Sequence, residues 1–493
     1  MKSYMVTALA ISALIFGGCN SNDDLDNEIV SLAKKYSLTG DPAADRNITY
    51  VSDPKAQLGM KLFYSKHLGL DMDSACASCH HPFLGGSDAL SLPIGVEAVD
   101  PDRVGPGRLH KESGHFYDGG PTVPRNTPST FNVALFDRTQ FWDARIESIT
   151  PVKGANGSVG RMLVPGSSDF DRVLWTTAQA ANLPAAQANF PVTSSPEMRG
   201  FGHPSLTTKD EVRDYLVDRL GGFNGNGDLN DSARQAWLQA FREGFSDPTA
   251  DTATLITRSN IFNAIAEFER SQLFVDNPWN RYLKGDKNAI SEEAKRGAYL
   301  FFSSYEDGGA NCVQCHKGDF FTDEKLYVMA VPQIGRGKNH DASTEDYGRE
   351  NVTLDESDRY KFRTPTLLNV EVTGPWGHDG AFVTLEAMVR HMLKPETALE
   401  YDEKSLFQHG ILAQCKDTKE NTRRALQRLE ANRKSGISPH RSVDFSDEQV
   451  RELVAFLKSL TDPCVKDREC LKKWVPDYNS SESRALDLLH AKL

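Results

Sequence analysis

Apolar residues recur at helical spacing in several separated stretches of this 493-residue chain. Residues 54–70 ("PKAQLGMKLFYSKHLGL"), 232–245, 260–273 ("NIFNAIAEFERSQL"), 290–302 ("ISEEAKRGAYLFF") and 446–460 ("SDEQVRELVAFLKSL") each read as an amphipathic helix. Ser291 and Ser446 stand where N-caps belong, Ser291 with Glu293 close behind. Residues 85–128 are rich in Gly, Pro and Asp and predict a long loop region. Residues 154–190, around "GANGSVGRMLVPGSSDFDR", read as an inserted segment. No stretch shows the apolar–polar alternation of a half-buried strand. The pattern predicts a mainly α protein, and the length predicts two or three domains.

Two of these helices lead into the same short motif. "CASCH" spans residues 76–80 and "CVQCH" spans residues 312–316. Cys-x-x-Cys-His is the attachment signature of c-type haem: two thiols bond the porphyrin vinyl groups and the histidine reaches the iron. A zinc site and a thioredoxin-like redox pair are the rivals. Zinc leaves the second histidine unexplained, and the redox pair wants a βαβ context that neither site has. The motifs stand 236 residues apart, which predicts one haem per domain, attached through Cys76, Cys79 and His80 and through Cys312, Cys315 and His316.

Composition narrows the partners. The chain is 39% hydrophobic and 25% charged with a net charge of −12, and it carries no basic stripe, so nucleic acid is not an expected partner. At the N-terminus, Lys2 precedes an apolar run from Val6 to Phe16 and then Gly17-Gly18-Cys19. That run is too short to span a bilayer and reads as a lipoprotein signal peptide over residues 1–18, with Cys19 lipidated after cleavage. Residues 19–45, opening "CNSNDDLDNE", read as a tether, so the expected location is a lipid-anchored periplasmic one. Export implies an oxidising compartment. Cys464 and Cys470 bracket a short loop and predict a disulfide, whereas Cys415 has no evident partner and reads as a buried free thiol.

The ordered set "CASCH", "PRNTPSTFN", "FWDAR", "PVTSSPEM", "NIFNAIAEFERS", "CVQCH", "FRTPTLLNVEVTGPWGHDGAFVTLEAMVRHM" and "VAFLKSL" resembles the bacterial dihaem cytochrome c peroxidase family, which includes the MauG enzymes. The resemblance runs from about residue 50 to 462. It implies two cytochrome c-like haem domains with long loops, little β-structure and a calcium ion near the domain interface. The implied boundaries are 46–285 for the N-terminal, peroxidatic domain with an insertion at about 154–186, and 286–463 for the C-terminal, electron-transfer domain. Residues 464–493 form an extension.

The resemblance also implies roles for single residues. Met392, fourteen residues after His378, matches the distal ligand of the C-terminal haem; its neighbour His391 points about 100° away on a helix. Sixteen residues after His80, where peroxidases of this family carry a distal histidine, stands Val96, which cannot ligate iron. His110 and His115 lie further along the loop as the alternatives for that face. Glu197, ten residues after Gln187, matches the family's acid–base carboxylate with Gln187 as its positioning partner, and Trp142 matches a tryptophan between the haems. Asn126 and the carbonyls of Thr373 and Pro375 match calcium ligands, oxygen donors that suit the ion. The implied activity is reduction of hydrogen peroxide by electrons from a small periplasmic cytochrome c or cupredoxin, or from a protein substrate. MauG-like oxidation of a protein or organic substrate and a non-catalytic dihaem electron carrier are the alternatives. A homodimer is compatible with this reading.

Overall fold

The computed structural model describes residues 22–167, 171–341 and 343–493. The signal peptide and Cys19 lie outside the described residues. Helix α1 (Asn22–Lys35) comes first, and α2 (Pro54–Tyr64) precedes the first haem motif. Strands β1 (Thr139–Gln140), β2 (Ile146–Ser148), β3 (Met162–Pro165) and β4 (Arg172–Trp175) are followed by α3 (Leu183–Ala188), α4 (Lys209–Gly221), α5 (Asp231–Gly244), the single turn α6 (Thr252–Leu255) and α7 (Arg258–Arg270). After α8 (Pro278–Leu283), the second half holds α9 (Glu292–Phe302), β5 (Leu326–Tyr327), α10 (Glu350–Thr353), β6 (Phe362–Arg363), α11 (Leu385–Leu393), α12 (Thr418–Lys434) and α13 (Asp447–Ser459). The fold is mainly α.

Each half is built on one crossed helix pair. In the first, α2 crosses α7, and Gly59 lies against Ala264 and Phe268 so tightly that a Cβ there would stand 2.9 Å from the Phe268 Cβ. In the second, α9 crosses α13, and a Cβ on Gly297 would stand 2.9 Å from the Phe456 Cβ. Only glycine lets the two backbones approach this closely. Phe63 and Phe301, each four residues after its glycine, then lie 6.4 and 6.5 Å from the rings of His80 and His316. Two separate apolar cores surround these crossings, one around Phe63, Phe241 and Phe268 and one around Phe301, Phe302 and Phe456.

Three expectations change. The segment 154–186 is more than an inserted loop: β3 and β4 complete a four-stranded antiparallel sheet in the order β1-β2-β3-β4, with Leu163 paired to Glu147 on one side and Leu174 on the other. Strands of two to four residues are too short for alternation to show in sequence. Residues 22–35, read as tether, form α1, which packs on α9 through a stripe that includes Leu25, Ile29 and Leu32. Asp26 there accepts from Tyr282 Oη (2.7 Å) and pairs with Lys295 (3.0 Å). The C-terminal extension turns back to the first half, where Leu486, Leu488 and Leu489 join its core and Leu489 N–H donates to Tyr64 O (2.7 Å). The disulfide Cys464–Cys470 (Cα–Cα 5.4 Å) lies at the start of this return. Cys415 is half-buried, 3.4 Å from Ile411 O.

Candidate haem sites

Both motifs fold as tight turns in which the histidine N–H donates to the first cysteine's carbonyl (3.0 Å at His80 and at His316). His80 Nδ1 lies 3.2 Å from Gly86 O and His316 Nδ1 lies 3.0 Å from Phe321 O. A proline carbonyl supports each ring as well, Pro128 at His80 and Pro365 at His316. With Nδ1 engaged, Nε2 is the nitrogen left for iron. Burial pushes His80 down to about 4 and lowers His316 too, so both rings are neutral, as an iron ligand must be. Burial likewise raises all four motif thiols, Cys312 to about 12 and Cys315 to about 11, surroundings that suit uncharged thioether sulfur.

One continuous cavity touches His80 and His316, together with Trp142, Gln187, Asn126 and Met392. Gln140 Nε2 and Arg363 Nη1 belong to residues on its wall, are buried and lack a protein partner. Carboxylates such as haem propionates would satisfy donors of this kind. The paired thiols, the oriented histidines and these orphan donors fit two haem c groups.

On the far side of the C-terminal site, α11 presents Met392 to the cavity, and Met388 one turn earlier lines it too. His391 does not line it: its Nε2 is 2.9 Å from Met329 O and its ring packs on Phe382. His440 Nε2, 2.7 Å from Met392 O, braces the end of the helix.

The N-terminal site is closed differently. Ile94 O is 4.0 Å from Cys79 Sγ, and Val96, fully buried, donates its N–H to Pro196 O (3.3 Å). Gly95 packs against the backbone of Pro196 and Glu197. Glu197 sits in the π-turn Ser195–Arg199, close enough to Cys79 for its charge to raise that thiol. Gln187, on α3, lines the cavity, whereas Glu197 approaches from the side of residues 94–96.

His110 and His115 are both held in the loop. His110 Nδ1 lies 2.8 Å from Lys111 O and its ring stacks on Tyr117. His115 pairs with Glu97 (Nδ1–Oε1 2.8 Å) and stacks on Phe201 with ring centroids 4.2 Å apart. Neither lines the cavity. His81 is buried, and its Nδ1 accepts from Phe83 N–H (3.2 Å).

Between the halves, Trp142 Nε1 donates to Asn126 O (2.9 Å), and Asn126 N–H donates to His378 O (2.9 Å). The Asn126 amide nitrogen donates to Leu90 O and Ser91 O (3.0 and 3.2 Å). Thr373 and Pro375, the other residues expected to hold calcium, line the same cavity. Beside them, buried Arg125 bridges Asp143 (2.5 Å) and Asp346 (2.6 Å), joining the "FWDAR" segment to the second half and holding the Asp143 carboxyl well below its ordinary value.

Three cavity residues were missed by sequence reasoning. Glu269 is fully enclosed, its Oε2 has no partner, and burial alone pushes it up to about 8. Its signal was there: it lies seven residues after Phe262 and four after Ile265, a carboxyl in register with an apolar stripe. Arg363 was hidden inside a quoted motif. His378, stacked on Phe362 with centroids 3.8 Å apart and lowered to about 4 by burial, had served only as a ruler for Met392.

Two crossed helix pairs, each presenting a Cys-x-x-Cys-His turn to a shared cavity, define a dihaem c-type protein. A sequence model of the di-haem cytochrome c peroxidase (MauG) family matches residues 53–288. Over those residues the chain is similar to this family, and its curated relatives include MauG proteins and cytochrome c peroxidases. It is 27% identical over 343 residues to the methylamine utilization protein MauG of Methylorubrum extorquens, covering 69% of each chain. To the cytochrome c551 peroxidase of Nitrosomonas europaea it is 25% identical over 379 residues, 76% of this chain and 84% of the relative. Among solved structures it resembles a MauG-like protein associated with microbial copper homeostasis, with a TM-score of 0.50 and 19% identity over 87% of this chain and 96% of the other. That likeness shows the fold.

Proposed function

We infer that the protein is a c-type dihaem peroxidase that reduces hydrogen peroxide to water with electrons from an external donor, and that peroxide is handled at the His80 haem. The observation that supports this reading is that residues 94–96 lie against Cys79 and the Glu197 turn, and the residue that the resemblance aligns with the family's distal histidine is Val96, which cannot ligate iron. When bound there, the haem supplies the redox chemistry of O–O cleavage. Glu197 would serve as the acid–base group that moves a proton between the two peroxide oxygens, and Gln187 would be its positioning partner.

His316 and Met392, which line the same cavity, would hold the C-terminal haem, and such histidine–methionine ligation would suit that site to electron relay. Trp142 stands between, tied to Asn126. A calcium ion at Asn126, Thr373 and Pro375 would fix that junction. The methionine at 392 favours peroxidase over MauG-like oxidation, where tyrosine is expected. The Cys464–Cys470 disulfide and the covalent haem motifs support an oxidising, periplasmic location, with Cys19 as lipid anchor. The electrons would come from a small periplasmic cytochrome c or cupredoxin, or from a protein substrate.

Steady-state peroxide turnover with a reduced c-type cytochrome tests the assignment. Glu197→Gln should cost 10²- to 10⁴-fold, the range of a lost general acid–base group. Unchanged turnover would remove Glu197 from the chemistry. Two fully low-spin haems that bind neither cyanide nor carbon monoxide would make the protein an electron carrier instead.

A further inference from the structure

Residues 97–99 and 109–111 form a small antiparallel hairpin over the N-terminal haem site. Val99 N–H donates to Leu109 O and Lys111 N–H to Glu97 O, both at 2.9 Å, and Ala98 faces His110. Arg108 stands at the start of the returning arm. Its side chain is buried, and it turns back across the hairpin: Nε donates to Ile94 O (2.6 Å) and Nη2 to Gly95 O (2.6 Å). Nη1 donates to Arg103 O (2.6 Å) and Pro101 O (3.0 Å). One rigid guanidinium thus holds four main-chain carbonyls, two of them in the segment that packs on Glu197. Glu97 N–H is fixed from the other side by Asp73 (2.7 Å).

The same hairpin carries the two loop histidines. His110 Nε2 is buried and makes no hydrogen bond, its nearest partner being Glu97 Oε2 at 3.8 Å, and its residue faces Ala98, two beyond Val96. A slip of the hairpin would therefore shift this imidazole relative to residues 94–96. The bonds from Arg108 to residues 94 and 95 set the register that prevents it.

We propose that Arg108 is a positioning residue that locks this hairpin, holding residues 94–96 against the Glu197 turn and keeping His110 and His115 off the iron so that the face opposite His80 stays free for peroxide. The proposal rests on the open-face reading above. The site is therefore set by the fold and needs no rearrangement before peroxide binds.

The test uses the oxidised holoenzyme with both haems attached, followed by electron paramagnetic resonance and cyanide-binding kinetics. The wild-type protein shows a high-spin haem. Arg108→Met converts it to low spin and slows cyanide binding at least tenfold; adding His110→Ala or His115→Ala restores the high-spin signal, and Arg108→Lys falls between. An Arg108→Met protein with wild-type spin state and cyanide rate overturns the proposal, as does a low-spin signal that survives removal of both histidines. A wild-type protein with no high-spin haem defeats the open-face reading itself, a separate result. If Arg108→Met does not take up both haems, hydrogen exchange decides through Arg108→Lys: amides of residues 97–111 exchange at least tenfold faster while α2 and α7 are unchanged, and unaltered exchange overturns the proposal.

Discussion

Gly95→Ala perturbs the proposed peroxide site through a single methyl group. The backbone at residue 95 is outside the left-handed region, so alanine meets no conformational penalty there. The obstacle is contact: an ideal Cβ would stand 2.7 Å from Glu197 Cα and closer still to the carbonyl oxygens of Pro196 and Glu197. Carbon atoms settle at about 3.5–4.0 Å, so the Glu197 turn must retreat by about 1 Å. It has little freedom to absorb this elsewhere. Asp71 holds Phe201 N–H at 2.7 Å, and Met198 O accepts from Leu70 N–H at 3.0 Å. A misplacement of about 1 Å in a catalytic group costs on the order of 10²-fold, or about 2.7 kcal/mol of barrier. The assay is kcat/KM for peroxide at matched haem content, in wild-type and Glu197→Gln backgrounds. If the methyl acts by displacing Glu197, Gly95→Ala costs about 10²-fold in the first and less than about threefold in the second, because the two changes remove one interaction. Near-wild-type turnover, or an equal loss in both backgrounds, would refute the reasoning.

Two further outcomes follow from buried groups. Glu269 is raised from 4.5 to about 8 by burial, so folding favours its protonated form: the stability this contributes is full below about pH 4.5 and is lost as pH rises through 8, at up to about 1.4 kcal/mol per pH unit. Denaturant midpoints of the holoprotein should therefore fall more steeply from pH 5 to 8 in the wild type than in Glu269→Gln, and parallel profiles would show that Glu269 has no raised value in the loaded protein. Met392→Ala should open the C-terminal haem, adding a second high-spin signal, lowering that haem's potential and admitting carbon monoxide when reduced, while Met388→Leu leaves the spectrum unchanged. The reverse pattern would transfer the ligand role to Met388.

The helices that carry the two crossings were legible because apolar positions at 3.6-residue spacing are what a crossed pair must bury, and the haem motifs because two thiols and a histidine at that spacing have few other uses. The match between the halves was not visible as a repeat. It resides in Gly59 and Gly297, whose importance depends on a partner backbone more than 150 residues away in sequence. Helix α1 was misread because its acidic residues suggest a solvated tether, while the stripe of Leu25, Ile29 and Leu32 acquires meaning only against α9. Arg108 was unreadable for a related reason: its partners are carbonyls, which every residue has, so no side-chain pattern announces them.

The two halves share their proximal chemistry. Each places a phenylalanine near the histidine ring, a loop carbonyl on Nδ1 and a Thr-Pro carbonyl beside it. The proximal side therefore gives the two irons no reason to behave differently. What differs is the element opposite. In the second half a capped helix, α11, delivers thioethers into the cavity from a rigid backbone. In the first half a hairpin follows residues 94–96, with its two histidines turned into hydrogen bonds of their own, while residues 95 and 96 lie against the turn that carries Glu197 and Arg108 holds residues 94 and 95. On the reading proposed here, the division between electron relay and peroxide site follows from this contrast. It also follows that exchanging proximal residues between the halves should leave the division intact, whereas changing the hairpin or α11 should move it.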